Sequence, residues 1–320
     1  MQVWQSPHGR PLPVPGARTL LMGVLNVTPD SFSDGGQLSS LHALVDRAGA
    51  MLAAGANLLD LGGESTRPGA LTISAAEECD RVLPAIAALR RAWPAVPLSI
   101  DTYKAEVAEA ALAAGADLIN DVWGFTHGLD AAQRTAWRAY AESSARRATS
   151  PALSSAAPAP SPLTPPPLSP MAEVAARLRA PAILMHNRPD RAYDDFWADL
   201  LLDLRTSLAL ARAAGVPDRQ LWLDPGFGFA KDVAQNLAVL RDLHRIVALG
   251  FPVLVGTSRK STLGAVLGTR VDDRVEAGGA TVVWAIQQGA AMVRVHDVHE
   301  MARFARMADA IKSGLGFTPV

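Results

Sequence analysis

Cysteine is nearly absent from this sequence, since Cys79 is the only one among 320 residues. A single thiol cannot form an intramolecular disulfide, and no Cys/His spacing around it matches a metal site. A disulfide framework is therefore excluded, and we interpret Cys79 as a core residue rather than a catalytic nucleophile.

A strong net charge and a membrane-length apolar run are absent as well. The formal net charge is −1, so no long-range field favours a nucleic-acid backbone or an anionic membrane. The first residues lack the charged start and apolar core of a signal peptide, and no later run is long enough to span a bilayer. We expect a cytoplasmic protein without nucleic-acid or membrane partners, and an N-terminal extension over residues 1–17.

No Gly-x-Gly-x-x-Gly motif follows the first apolar run, which argues against an open dinucleotide-binding sheet. The sequence contains instead a repeat in which a helical pattern ends in glycine and passes directly into an apolar run. Gly55, Gly115 and Gly215 follow Ala-Ala in this pattern, and Gly289 follows Gln-Gln. Glycine just past a helix end adopts the left-handed conformation at little cost, so a strand can begin at once.

Eight apolar runs follow one another along the chain, each succeeded by a helix-compatible stretch. They read TLLMGVLNV, NLLDLGG, PLSIDT, DLINDV, AILMHN, LWLDPG, VLVGTS and MVRVHDV. Near-continuous apolar runs are typical of parallel strands that are covered on both faces. The sequence therefore predicts an α/β fold: one (β/α)8 TIM barrel over residues 18–316, a fold whose usual size is about 250 residues.

The spacing of the repeat reveals an insertion. From Gly115 to Gly215 the chain advances 100 residues, whereas from Gly55 to Gly115 it advances 60. The excess coincides with residues 151–170, of which 8 in 20 are proline. Because such a segment cannot form a helix or sheet interior, we predict a disordered insertion over 130–170, between strand four and helix four. A flexible loop is favoured there over a peptide-recognition tract.

Polar residues stand at nearly every predicted strand end, although the strands that lead to them are apolar. With the glycines between them, the strand ends are Asn26, Gly62, Gly63, Glu64, Asp101, Asn120, Asp121, His186, Asn187, Asp224, Gly256, Thr257, Ser258 with Arg259 and Lys260 following, Arg294, His296 and Asp297. In a TIM barrel the chemistry lies at the carboxyl ends of the strands. The pattern therefore predicts a ligand site at this end of the barrel.

These residues form two chemical groups. The first, Asn26, Arg294 and His296, supplies donors and positive charge that suit phosphate oxygens. The second alternates acceptors and donors, as a flat heterocycle with amino and carbonyl groups requires. It consists of Asp101, Asn120, Asp224 and Lys260.

Each residue taken alone has a structural alternative. Asp101 is a possible helix cap and Asp224 a possible turn former before Pro225-Gly226. Lys260 could be a solvated loop charge, and we interpret His186 as structural. All of these alternatives would have to hold together to remove the predicted site.

The motifs resemble those of the dihydropteroate synthases, a pterin-binding TIM-barrel family. Eight segments carry the resemblance in order: GVLNVTPDSFSDGG, DLGGESTRPGA, SIDT, INDV, LMHN, LDPGFGFAK, VGTSRKS and RVHDV. The first two and SRKS are the most specific. The resemblance runs from about Leu20 to Val298 and is interrupted by the Pro-rich insertion.

The resemblance implies a transferase that joins hydroxymethyl-dihydropterin pyrophosphate to p-aminobenzoate, giving dihydropteroate and pyrophosphate in folate biosynthesis. It implies pterin binding by Asp101, Asn120, Asp224 and Lys260, and pyrophosphate binding by Asn26, Arg294 and His296. It implies Mg²⁺ held by Asn26 and Asp34. It implies p-aminobenzoate binding, and with it sulfonamide binding, by Phe32, Thr66, Arg67, Pro68, Phe229, Lys260 and Ser261. The catalytic set that follows is Asp101, Lys260, Asn26 and Asp34, and a homodimer is the usual assembly.

The segment GVLNVTPDSFSDGG is then best interpreted as a lid. Asn26 ends the strand, while Phe32 and Asp34 meet the second substrate and the metal when the lid closes. Because no side-chain nucleophile is evident, we expect a dissociative substitution without a covalent enzyme intermediate.

Three positions depart from the commonest family pattern: Asn187 for methionine, Ala230 for glycine and Asp232 for threonine. None removes a charged contact, so they bear on the shape of the pocket rather than on activity. Two other functions stay open: a pterin-dependent methyltransferase acting from methyl-tetrahydrofolate to a corrinoid protein, and a non-catalytic pterin-binding homologue.

Overall fold

Eight short parallel strands form the centre of the molecule. The structure, a computed structural model, describes residues 4–16, 18–27, 36–65, 71–149 and 164–313. The strands are β1 (Leu20–Asn26), β2 (Leu58–Gly62), β3 (Leu98–Asp101), β4 (Leu118–Asp121), β5 (Ala182–Met185), β6 (Leu221–Asp224), β7 (Leu254–Val255) and β8 (Met292–Val295). They pair in the order β6-β5-β4-β3-β2-β1-β8-β7. A parallel bridge between Leu223 and Val253 brings β6 against the chain that enters β7, so the sheet closes into a barrel.

Helices surround this barrel on the outside. They are α1 (Gly36–Ala53), α2 (Ala75–Ala92), α3 (Ala105–Ala113), α4 (Ala131–Thr149), α5 (Pro170–Arg177), α6 (Phe196–Ala214), α7 (Val233–Arg241), α8 (His244–Val247), α9 (Ser261–Leu267), α10 (Val275–Gln287) and α11 (Val298–Ser313). The predicted TIM barrel is confirmed. Within the described ranges, no helix is both long enough and apolar enough to cross a membrane.

The strands alternate in a way that separates two layers inside the barrel. Successive side chains of a strand point to opposite faces, so Leu58 shares its face with Asp60, Leu118 with Asn120, Trp222 with Asp224, and Met292 with Arg294. The first member of each pair belongs to an apolar cluster within the barrel. The second member lies two residues nearer the carboxyl end of the strand. The alternation of side chains therefore fills the bottom of the barrel with apolar residues and places charged and amide groups at its mouth.

The opposite faces of the strands pack against the helices. Leu59, Ile100, Ile119, Leu184 and Val293 all lie in the larger apolar cluster with the buried sides of the helices. Burial on both faces explains why the strands are near-continuous apolar runs in the sequence.

The N-terminal extension closes the bottom of the barrel. Trp4 is 1% exposed and lies against Trp222, with the ring centroids 4.6 Å apart. Ser6 donates to Asp117 Oδ1 at 2.5 Å, and Arg10 pairs with the same carboxylate at 2.7 Å. The segment predicted as an extension therefore contributes to the core.

The insertion after β4 differs from the prediction over its first half. Residues 131–149, expected to be disordered, form helix α4, which packs against α6. Trp137, Tyr140 and Ala141 repeat at helical spacing; Trp137 is 0% exposed and donates through Nε1 to Pro167 O at 3.0 Å. An apolar stripe on an alanine-rich segment outweighed its polar composition. Most of the proline-rich stretch, residues 151–163, lies outside the described residues.

Candidate active site

The strand register brings the predicted heterocycle-binding residues side by side. Asp101 pairs with Asn120 across β3 and β4, and Met185 pairs with Asp224 across β5 and β6. The parallel pairing thus places Asp101 and Asp224 on the same rim of the barrel, although they are 123 positions apart in the chain.

Arg294 joins two carboxylates at the centre of this rim. Its Nε donates to Asp60 Oδ2 and its second terminal nitrogen donates to Asp101 Oδ2, each at 2.6 Å. Asn120 Nδ2 also donates to Asp60 Oδ2, at 3.2 Å. Arg294, a predicted phosphate donor, is therefore in direct contact with Asp101, a predicted heterocycle-binding residue.

Asp60 is a site residue that the sequence interpretation missed. It is 0% exposed and lies in the middle of β2. The sequence does contain a signal for it, since Asp60 is an acid inside an apolar run. Asp60 lies two residues before Gly62, where the strand ends, so its side chain points to the same, inward face as that strand end.

Two buried carboxylate oxygens face this cluster without a partner. Asp60 Oδ1 and Asp101 Oδ1 make no hydrogen bond with any residue that the structure describes. Buried acceptors are normally satisfied, since leaving one unpaired costs about 1–3 kcal/mol. The arrangement therefore suits a ligand that presents N–H donors along one edge.

Burial controls the protonation of these acids. It raises the pKa of Asp101 to about 7, against the lowering effect of Arg294 and with a further rise from Asp60. Burial also raises the pKa of Asp224 to about 6, partly offset by the hydrogen bond from the Gly226 amide and by Lys260. Burial opposes the charge of Arg294, but the two adjacent carboxylates outweigh it and raise its pKa.

The loop after β6 depends on glycine. Gly226 N donates to Asp224 Oδ1 at 2.7 Å, and Gly226 has a left-handed φ of +66°. A Cβ at this position would collide with the carbonyl oxygen of His186. The close approach of β5 and this loop therefore requires Gly226 and orients Asp224.

Lys260 and Phe229 face each other at the edge of the site. Lys260 Nζ lies 4.1 Å from the centroid of the Phe229 ring. Lys260 directly precedes α9, whose first residue is Ser261. The structure thus brings together the described members of the predicted p-aminobenzoate set, an aromatic face beside a cation.

The residues predicted to bind phosphate lie at the end of β1, on β8 and just past β8. Asn26 is the exposed last residue of β1. His296 Nδ1 lies 3.0 Å from Ser258 Oγ, and the backbone N–H of His296 donates to the same hydroxyl at 3.2 Å. Burial, reinforced by Arg294 and Arg259, lowers the pKa of His296 to about 3. In the free protein this imidazole is neutral.

Five predicted site residues lie outside the described residues: Phe32, Asp34, Thr66, Arg67 and Pro68. The chain on both sides of residues 66–70 is held by Lys104. Its Nζ pairs with Glu64 and donates to Ile73 O at 2.7 Å and to Glu78 Oε2 at 2.8 Å. Lys104 was not singled out from the sequence.

Among the three departures from the family pattern, Asp232 and Asn187 make local hydrogen bonds, whereas Ala230 occupies a backbone conformation that favours glycine. Asp232 caps α7, accepting from the Gln235 N–H at 2.7 Å, and the Gln235 side chain accepts from the Asp232 N–H at 2.9 Å. Ala230 has a φ of +46°, the left-handed region that favours glycine. Asn187 lies just past β5, and its Oδ1 accepts from the Arg188 N–H at 2.9 Å.

Comparison with known proteins agrees with this geometry. The sequence pattern of the family described as "Pterin binding enzyme" matches residues 22–145 and 168–296. The dihydropteroate synthase of Bacillus subtilis (strain 168) is 44% identical over 294 residues, which cover 92% of this chain and 89% of that protein.

Solved structures match over a similar length. A dihydropteroate synthase from Clostridium difficile, crystallised in the presence of pteroic acid, superposes with a TM-score of 0.76 at 40% identity, covering 92% of this chain and 97% of that one. The Xanthomonas albilineans dihydropteroate synthase with 4-aminobenzoic acid gives a TM-score of 0.76 at 37% identity, covering 93% and 94%. The break in the family match, between residues 145 and 168, falls within the predicted insertion.

Proposed function

Because the chain belongs to the pterin-binding enzyme family and acts as a dihydropteroate synthase, we propose a division of its site into three parts. The carboxylates and amide on β2, β3, β4 and β6 bind the pterin ring. Residues at the ends of β1 and β8 bind the pyrophosphate. The loops after β6 and β7 bind p-aminobenzoate. Each assignment draws on the described geometry of the barrel mouth.

Pterin binding is supported by the unpaired acceptors. Asp101 Oδ1 and Asp60 Oδ1 are buried and have no partner among the described residues. A pterin ring presents adjacent N–H and NH2 groups, which complement carboxylate oxygens. A ring without these donors would leave the acceptors buried and unpaired, so the site selects by chemistry as well as by shape. This observation carries the proposal, and Asn120 and Asp224 complete the rim.

Pyrophosphate is proposed to lie between Asn26, Arg294 and His296. The amide of Asn26 and the imidazole of His296 can donate hydrogen bonds to phosphate oxygens. Arg294 is a cation held by two carboxylates. Protonation of His296 costs less once a pyrophosphate lies beside it, because the anion offsets the lowering effect of Arg294 and Arg259 on its pKa.

Mg²⁺ is proposed as the cofactor, with Asn26 and Asp34 as its protein ligands. The amide oxygen of Asn26 is a hard donor at an exposed strand end, and Mg²⁺ typically takes only one or two protein oxygens besides phosphate and water. Within the described ranges, no cluster of three or more His, Cys, Asp or Glu residues could hold a metal by itself. The ion would neutralise charge on the leaving pyrophosphate.

The reaction is proposed to be a dissociative substitution. The bond from the pterin methylene carbon to the pyrophosphate oxygen breaks, and its electron pair leaves with the pyrophosphate. The pterin ring delocalises the resulting positive charge, and the carboxylate of Asp101 stabilises it. The amine nitrogen of p-aminobenzoate then forms the new bond and releases its proton to solvent. No covalent enzyme intermediate is involved, and the isolation of a substrate-derived adduct on a side chain would contradict this step.

The p-aminobenzoate site is proposed to include Phe229, Lys260 and Ser261 of the described chain, with Phe32, Thr66, Arg67 and Pro68. The ring of Phe229 offers an apolar face, and the ammonium of Lys260 lies beside it. Sulfonamides share the aniline ring of p-aminobenzoate, and we expect them to compete here.

A homodimer is proposed through the later helices. Leu237 on α7, Leu267 on α9 and Trp284 on α10 are 44%, 56% and 49% exposed. Because α7 packs against both α9 and α10, this apolar surface is shared by neighbouring helices, as an interface core requires. The cytoplasmic location, and the absence of nucleic-acid and membrane partners, stay predictions.

One assay tests the proposed function against its alternatives. Purified protein is incubated with Mg²⁺, the pterin pyrophosphate and labelled p-aminobenzoate, and dihydropteroate and pyrophosphate are measured together. Equal amounts of both products are expected. Pterin binding without products would indicate a non-catalytic homologue, and methyl transfer from methyl-tetrahydrofolate to a corrinoid protein would indicate the related methyltransferases.

A further inference from the structure

Lys231 is a buried lysine next to the proposed pterin-binding rim, and burial lowers its pKa to about 7. Its side chain is 3% exposed, and its Nζ contacts three acceptors: Gly226 O at 3.1 Å, Phe229 O at 3.1 Å and His186 Nδ1 at 2.8 Å. Burying an ammonium group is costly unless its hydrogen bonds are made. A residue that only filled space here would be apolar, so the lysine is present for these three bonds.

The contacts of His186 fix its proton. A carboxylate can only accept, so the contact with Asp203 requires the hydrogen on His186 Nε2, and His186 Nδ1 accepts from Lys231 Nζ. Nε2 lies 3.3 Å from Asp203 Oδ2 on α6. Burial, reinforced by Lys231, lowers the pKa of His186 to about 4. A neutral imidazole therefore connects Lys231 Nζ to the carboxylate of Asp203.

The two carbonyls held by Lys231 belong to the loop that carries two proposed substrate contacts. Gly226 O lies two residues after Asp224, and Phe229 O belongs to the residue that faces Lys260. Tyr193 Oη donates to the next carbonyl, Ala230 O, at 2.9 Å. The side chains of Lys231 and Tyr193 thus hold this loop through three hydrogen-bonded carbonyls, those of Gly226, Phe229 and Ala230.

The contacts of Asp203 extend from α6 to helix α4. Asp203 pairs with Arg138 of α4, and also with Arg188 Nε at 3.2 Å. Arg138 pairs in addition with Asp199 on α6, at 2.7 Å. Helix α4 therefore contributes a cation to the group of residues that holds Lys231.

We propose that Lys231 is a positioning residue for both substrates, which fixes the loop of residues 225–230 through two carbonyls and is itself held by His186 and Asp203. The proposal rests on the assignment of Asp224 to pterin and Phe229 to p-aminobenzoate. Lys231 is 3% exposed, so it has almost no surface with which to contact a substrate. It acts by keeping the carboxylate and the ring in the positions that the substrates require.

Three variants test this in the full-length protein. Lys231→Met removes the donor. His186→Leu removes the link to Asp203, whereas His186→Gln keeps an acceptor for Lys231 and a donor for Asp203. Lys312→Met, on α11, is the control: within the described part of the chain, this lysine donates to a single acceptor, Ile286 O, at 3.3 Å. Steady-state kinetics give KM for each substrate and kcat, and hydrogen exchange of the free protein reports on the Phe229 amide, which donates to Gly226 O at 3.0 Å.

We expect Lys231→Met to raise KM for both substrates by roughly tenfold or more, from the loss of its buried hydrogen bonds, with a smaller change in kcat. Exchange at the Phe229 amide should become faster. His186→Leu should act in the same direction, while His186→Gln and Lys312→Met stay close to the unmodified protein. A residue that only contributed stability would lower the unfolding temperature and leave KM of the folded protein unchanged.

A fourth variant separates this proposal from the site assignment. Asp224→Asn should weaken binding of the pterin pyrophosphate, measured without p-aminobenzoate. If Asp224→Asn weakens binding but Lys231→Met changes neither KM nor amide exchange, the positioning role is wrong. If Asp224→Asn leaves binding unchanged, the assignment of Asp224 fails, and the positioning role proposed for Lys231 fails with it.

Discussion

Lys260 Nζ lies 4.1 Å from the centroid of the Phe229 ring, so a cation from the loop after β7 rests on an aromatic side chain from the loop after β6. The contact joins two loops at the edge of the site. It fixes the position of Lys260, which the family resemblance assigns to both substrates, relative to Phe229, which is proposed to bind p-aminobenzoate.

Replacing this ring should affect p-aminobenzoate most. A partly exposed cation–π contact contributes about 0.5–1 kcal/mol, and the flat face of the ring is lost as well. Phe229→Leu is therefore expected to raise KM for p-aminobenzoate by roughly five- to tenfold, with a smaller change for the pterin substrate. Phe229→Tyr keeps the face and serves as the control. An equal rise for both substrates would contradict the division of the site.

Asp101→Asn should separate binding from stability. A hydrogen bond to a charged group is worth about 1.5–3 kcal/mol, so affinity for the pterin pyrophosphate should fall roughly ten- to a hundredfold. Stability should change less, because Asp60 still holds Arg294 at 2.6 Å. Binding calorimetry measures the affinity, and denaturant unfolding measures the stability.

Replacing Arg294 should affect stability instead. Arg294→Met should strongly lower the free energy of unfolding, because it leaves the carboxylates of Asp60 and Asp101 unpaired.

The acid at the end of β6 predicts a dependence on pH. Burial raises the pKa of Asp224 to about 6 in the folded protein. Between the ordinary aspartate pKa and about 6, the folded state keeps this proton and the unfolded chain has lost it. The stabilisation from this residue is therefore fully present below the ordinary aspartate pKa, and it is lost as the pH rises through about 6. Pterin binding, which uses the carboxylate, should strengthen over the same rise.

Titrating both properties between the ordinary aspartate pKa and pH 7 checks this expectation. In Asp224→Asn the part of the change that is due to this residue should vanish from the unfolding free energy and from the affinity. Persistence of the full change in the variant would assign it to another group, of which Asp101 is the nearest candidate.

Trp4 should matter for stability and not for catalysis. It is 1% exposed against Trp222 at the bottom of the barrel, away from the substrate rim. Trp4→Ala is expected to cost about 3–5 kcal/mol in the free energy of unfolding, with KM unchanged under conditions where the variant is folded. Val14→Ala in the same segment, 37% exposed, should be nearly neutral. Denaturant unfolding with kinetics on the folded variant provides the measurement.

Ala230 should tolerate glycine better than other alanines do. Its φ of +46° is unfavourable for a residue with a Cβ by about 1 kcal/mol. Ala230→Gly is therefore expected to leave the unfolding free energy unchanged or to raise it slightly, because relief of the strain offsets the greater entropy of the unfolded chain. Ala209→Gly, in the middle of α6, is the control and should lower it by about 1 kcal/mol.

The barrel and much of its rim were predictable because they depend on short-range rules. Parallel strands buried on both faces require apolar runs, and a glycine after each helix marks where a strand begins. A polar residue that ends an apolar run then points to the rim, which is how Asp101, Asn120 and Asp224 were found.

Helix α4 was missed although a local signal existed. Trp137, Tyr140 and Ala141 have helical spacing within an alanine-rich segment, but the neighbouring prolines dominated the interpretation. The helical periodicity of this segment therefore predicts its structure better than its composition does.

The sequence by itself determined the eight strand–helix units, the polar strand ends and the family. Only the tertiary structure decided which charges meet: Arg294 with Asp60 and Asp101, and Lys231 with His186. These partners are tens to hundreds of residues apart, and a lysine near a loop looks the same in the sequence whether it is solvated or buried. Whether it is buried depends on how the closed barrel stacks the loops, and that is a property of the whole fold.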